Sequence, residues 1–90
     1  MSAANLPPAE PPADDVADLT EQLRRARIDR ADADATLGRL MDVLSHQEGM
    51  TPAGRNHLTI ERIVAEHRLF LWGQVVGLLE QQARSMGLQP

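Results

Sequence analysis

RLFLWGQVVGLLE, Arg68 to Glu80, is the stretch that decides the fold. An arginine and a glutamate bracket eleven uncharged, mostly apolar residues, and both the only tryptophan and the only phenylalanine lie here. A membrane span needs about 20 apolar residues, so the stretch is too short to be one. At about 100° per residue, its apolar side chains and those just before it fall into two neighbouring sets. Trp72, Val76, Leu69, Leu79, Ala83 and Ala65 share one face. Leu71, Val75, Leu78, Ile60 and Val64 continue that face around the cylinder. Val75-Val76 is the only adjacent β-branched pair in the apolar run, and the period around it is helical. The whole of 51–86 is therefore read as one helix.

Working toward the N-terminus, Thr51-Pro52 supplies the start of that helix. Threonine is a good N-cap, and proline is favoured at the first helical position. Gly54 and Asn56 are poor helix formers, which leaves open whether 51–57 is a separate short turn. Before it, residues 47–50 read as a turn, with Gly49 as the left-handed C′ residue of a preceding helix. In that preceding segment, Val16, Leu19, Leu23, Ala26, Ala33, Leu37, Leu40 and Leu44 recur at alternating steps of three and four. This is a coiled-coil heptad seam, broken once at Arg30. It places a first helix at 14–46, with Asp14 or Asp15 as cap and acids in the first turns suiting the dipole.

Two long helices joined by a short turn make an antiparallel hairpin, an all-α fold. Folding about 48–49 sets residue i near residue 97 − i. Ala26 and Ala33 then leave room for the bulk around Trp72. At the front, residues 1–13 hold two Pro-Pro pairs and little that is bulky and apolar apart from Leu6. Proline fixes φ and removes a donor, so an extended, disordered arm is expected. Residues 87–90 are expected to fray.

The arithmetic of burial asks for a second chain. About 75 structured residues supply only a few kcal/mol of core stability, and the 90-residue chain has no cysteine to add a disulfide or a thiolate metal site. The apolar arc of helix 2 is wider than one seam can cover, and a large uncovered patch is rare on a soluble monomer. A homodimer completing a four-helix bundle is the simplest closure. The expected self-association interface is Leu69, Leu71, Trp72, Val75, Val76, Leu78 and Leu79. A helical protein partner would serve the same purpose.

Other features carry less. Gly73 and Gly77 lie away from the main face, with Phe70 and Ile63 at its margin. Tolerated drift or a slight bend explains the glycines. The sharper reading is a second docking groove, since small residues let another chain approach closely. Arg30 in the seam is a register or specificity group if Glu61, Glu66 or His67 reaches it. The plainer reading has its stem packed and its guanidinium in solvent.

Net charge is −4 and every cation is arginine, which disfavours nucleic acid and anionic membranes. The cluster Arg24, Arg25, Arg27 and Arg30 is followed at once by Asp29, Asp32 and Asp34, the pattern of a solvated face. His46, His57 and His67 match no zinc spacing, and Ser45 and Ser85 lack a paired base. No cofactor, metal or catalytic residue is expected. No signal peptide is visible, so the expected location is the cytoplasm.

The leading functional expectation is a non-catalytic helical interaction module: a small adaptor, chaperone or regulator that self-associates and binds a partner protein. A DNA-binding regulator with a helix-turn-helix around 40–58 is the alternative. Only Arg55, Asn56 and His57 could read bases there. A small helical enzyme with an intersubunit site built on Arg30 and Glu61 or Glu66 is the third reading.

Overall fold

The structure is a computed structural model that describes residues 12–46 and 48–90. Two helices account for nearly all of it: α1, Ala13–Ser45, and α2, Pro52–Ser85. They pack against each other as the all-helical hairpin that the two seams require. The proline-rich arm lies outside the described residues up to Pro11, as does Gln47 of the turn.

The helix ends show why the chain reverses where it does. α1 starts after Pro12 with no side-chain cap; Asp14 and Asp15 lie inside the first turn, where they complement the dipole instead of capping it. At its other end Ser45 Oγ donates to the Asp42 carbonyl at 2.6 Å, and the His46 N–H donates to the Val43 carbonyl at 3.1 Å. Gly49 does adopt a positive φ of 77°. It does so three residues beyond the C-cap His46, so it shapes the connecting turn and is not the C′ residue of α1.

Thr51 caps α2, its hydroxyl accepting from the Gly54 N–H at 3.0 Å, with Pro52 next in line. Gly54 and Asn56 belong to α2 itself. The glycine has a local reason: a Cβ at Gly54 would lie 3.1 Å from Thr51 Oγ1. Its bare Cα keeps the capping hydroxyl uncrowded at a helix start where glycine otherwise costs stability.

Of the tail expected to fray at 87–90, Gly87 and Leu88 are held by backbone hydrogen bonds. Gly87, at φ 80°, is a left-handed C′ residue. Its N–H donates to the Arg84 carbonyl at 3.0 Å, while the Leu88 N–H donates to the Ala83 carbonyl at 2.9 Å. This is the paired bonding of a Schellman motif. It turns Leu88 back onto the core, where it packs with Met86.

The core sits toward the open end of the hairpin. Leu19, Leu23 and Ala26 of α1 bury against Val76, Leu79 and Ala83 of α2, with Trp72 lying over them. Nearer the turn, among the described residues, only Ala33 and Ala65 are buried, and no polar residue is. The four buried alanines let the helix backbones approach closely, and the adjoining leucines and Trp72 fill the space on either side.

The pairing register differs from 97 − i. Ala33 shares a shallow groove with Ala65, Arg68 and Trp72, and Leu40 shares one with Ile60, Glu61 and Val64. Facing positions therefore sum to about 101, roughly one turn further along. Side chains lean toward the N-terminus of their own helix, so each covers a spot about one position back. In an antiparallel pair the two leans add, which accounts for about half of the difference.

Candidate functional site

Once α1 and α2 are paired, α2 keeps a second apolar face uncovered. Ile60, Val64, Leu71, Val75 and Leu78 are all exposed, Ile60 by 60% and Leu78 by 55%. Their spacing along the chain is four, seven, four and three residues. On an ideal helix these five fall within about 60° of arc, over roughly 27 Å of length. Val76, by contrast, is only 2% exposed. The exposed stripe is thus a second apolar line on the same helix, turned roughly 115° from the first.

The seven residues assigned to self-association divide accordingly. Leu71, Val75 and Leu78 belong to the exposed stripe. Val76 and Leu79 do not: they are buried in the chain's own hairpin, and Trp72 packs on the same cluster. Leu69 is half-buried on the other edge of the contact, beside Arg27, Arg30 and Asp34. The sequence placed both sets on α2. It could not say that α1 covers the first set, because the width of one helix's coverage is set by packing.

The stripe's border is polar. On the α1 side, Asp29, Asp32 and Thr36 line a groove with Arg68 of α2. His57 and Glu61 flank its turn end, with His57 Nε2 3.4 Å from Glu61 Oε1, a pair that is ionic only when the imidazole carries a proton. An apolar strip rimmed by charged and polar groups has the make-up of a contact surface.

The third face of α2 carries Ile63, Phe70, Gly73 and Gly77. Phe70 is 61% exposed and Ile63 is exposed as well. A Cβ built on Gly73 or Gly77 meets nothing within 4 Å. No neighbour in the hairpin needs these glycines, so within this chain they are not packing glycines.

The polar candidates do not converge. Arg30 is exposed. Glu61 contacts His57, and Glu66 accepts from Arg62 at 3.3 Å, so neither carboxylate is engaged with Arg30. His67 is exposed as well. The one ion pair between the helices among the described residues is Arg27 with Glu80 at 3.5 Å, both partly solvated. Arg24 donates to Glu21 at 2.6 and 2.9 Å within α1. That hydrogen bond, with the charges of Arg24 and Arg25, holds the Glu21 carboxyl below its ordinary range.

Segment 40–58 forms the tip of the hairpin, where Arg55, Asn56 and His57 are exposed. Among the described residues no group of three His, Asp or Glu side chains could hold a metal ion, and no helix is long and apolar enough to cross a membrane. No family model, curated protein or solved structure matches the chain. The exposed stripe of α2 is the feature of the described residues that most resembles a working surface.

Proposed function

We propose that the chain is a non-catalytic helical interaction module that self-associates and, as an assembled unit, binds a partner protein. One observation carries the reading: five aligned aliphatic side chains of α2 stay in water after the hairpin has closed. Uncovering such a stripe costs free energy in proportion to its apolar area, and a facing helix recovers it. The spacing suits a helix as the facing element, because steps of three, four and seven keep the five side chains in one line along α2. A homodimer, making four helices in all, is the simplest assembly on these terms. The face holding Phe70, Gly73 and Gly77 is then free for the partner. An adaptor or regulatory role in the cytoplasm belongs to this reading, and rests on the acidic, cysteine-free composition.

Sedimentation equilibrium tests it. The wild-type chain should sediment well above its single-chain mass of 9.9 kDa. Leu71→Glu should return it toward that mass while keeping helical circular dichroism at low temperature, because Leu71 is 46% exposed and is not part of the core cluster. A wild-type chain that sediments at 9.9 kDa and melts independently of Leu71 would overturn the reading.

A further inference from the structure

We infer that the occupant of the exposed α2 stripe is the same stripe of a second copy, running antiparallel, with the two-fold axis passing near residue 69. The inference rests on the self-association just proposed and gives it a geometry.

The stripe is balanced about its middle. Ile60 and Leu78 lie nearly equidistant from residue 69, and so do Val64 and Val75. The position at seam spacing between Val64 and Leu71 is His67, which mirrors Leu71 itself. An antiparallel copy therefore meets Ile60 with Leu78, Val64 with Val75, and His67 with Leu71, each twice by symmetry. An isologous interface requires that correspondence: if i meets j, then j meets i. No apolar residue of the stripe is left facing a gap.

A parallel copy would also superpose the seam on itself. It would stack His67 on His67 in mid-seam, leaving a polar layer where the antiparallel pair has an apolar side chain over each imidazole. It would also align the two helix dipoles, which the antiparallel arrangement opposes.

Charge on the border fits the antiparallel pair. In it, equivalent flanks of the two α2 helices face each other, so both Arg68 side chains come to the same side of the seam. That side is the one on which α1 carries Asp29 and Asp32, which share a groove with Arg68. Four carboxylates then surround two guanidiniums, which relieves the repulsion between the arginines.

The geometry also bears on bundle closure. The two seams of α2 are turned roughly 115° apart, more than the right angle of a square four-helix bundle. The two α1 helices are therefore splayed. The flank of α1 that faces the gap holds Asp18, Gln22, Arg25, Asp29 and Asp32, all but the half-buried Asp29 exposed, which suits a solvated cleft and not a closed core.

Single cysteines test the axis, and the cysteine-free chain provides a clean background. Leu71→Cys, Leu78→Cys and Ile60→Cys are made in the full-length protein. All three sites are exposed, and helicity and native mass are checked for each. A short bismaleimide is the probe. Across an axis at residue 69, two copies of position 71 lie about 6 Å apart along the helices, and two copies of position 78 about 27 Å apart.

Leu71→Cys should crosslink to itself. Leu78→Cys and Ile60→Cys should each fail alone and crosslink when mixed. Self-crosslinking at position 78 as efficient as at 71 overturns the antiparallel axis in favour of a parallel pair, and leaves self-association standing. So does a dimeric native mass with no crosslink in the 60/78 mixture. A single-chain mass for the unsubstituted protein overturns the self-association on which the axis depends.

Discussion

α1 and α2 are nearly equal in length, 33 and 34 residues, and they share one interface. They differ in what they leave outside it. The exposed large apolar residues of α1 are Ile28, Met41 and Val43, too few and too far apart to form a stripe; α2 leaves seven, five of them in one line. A scattered apolar side chain is ordinary on a protein surface, whereas five in one line make a contiguous apolar stripe. α1 is a helix with one job, to cover α2. α2 has one face covered by α1 and a second apolar stripe left in water.

That contrast is sharpest at the adjacent residues Val75 and Val76, and the largest expected effect lies there. Val76→Asp puts a carboxylate where the side chain is 2% exposed and no polar group is buried nearby. Leaving a buried charge uncompensated costs about 3–5 kcal/mol, comparable with the whole stability of so small a core. The cooperative thermal melt followed by circular dichroism should disappear. Val75→Asp, one residue away on the exposed stripe, should keep the helices but lose the dependence of the midpoint on protein concentration. Equal unfolding by both substitutions would erase the distinction between the two seams.

Trp72→Ala comes next. Full burial would make the loss about 3–5 kcal/mol; the indole is half-buried, so about 2–4 kcal/mol is expected in denaturant titrations. A loss below about 1 kcal/mol would mean that α1 does not cover the first seam as described.

The third face of α2 should respond in the opposite direction. Gly73→Ala and Gly77→Ala each remove a helix-interior glycine, and the added methyl meets nothing within 4 Å. Each should raise stability by about 1 kcal/mol. If either lowers stability or changes the native mass, another chain comes close there, and α2 would have three working faces.

The smallest effect is expected on the outer side of α1. Glu21 is fully solvated, and its carboxyl is held below the ordinary value first of all by the hydrogen bond from Arg24. A depressed pKa means a contribution present above the unfolded carboxylate pKa and lost as pH falls through the depressed one. Glu21→Gln should therefore lower the melting midpoint slightly at neutral pH and match wild type below the Glu21 titration. Because exposed pairs contribute little, a large effect at neutral pH would place Glu21 in a contact outside the hairpin.

Much of this was legible beforehand in particular residues. Steps of three and four from Val16 to Leu44 and the helical period of 57–83 imply two packed helices. Thr51-Pro52 marks the start of the second through a cap that the structure shows at 3.0 Å. The candidate surface was legible only as an excess of apolar arc. Knowing that Val76 and Leu79 belong to the covered set and Val75 and Leu78 to the exposed one required knowing where α1 lies. The register differs from the expected one by about a turn, and the lean of side chains along both helices accounts for about half of that. The fate of 87–90 was hidden because a Schellman motif depends on the backbone of Gly87 and on an apolar contact for Leu88 that no local pattern announces.

By itself the sequence determined that this chain forms helices, where they stop, and that α2 carries more apolar circumference than one helix can shield. Those properties follow from local geometry: 3.6 residues per turn, the chemistry of a cap, the freedom of a glycine. Tertiary structure alone decided which part of that circumference lies inside. Coverage depends on the distance, lean and register of a second helix, quantities that arise when two surfaces meet and that neither surface encodes alone.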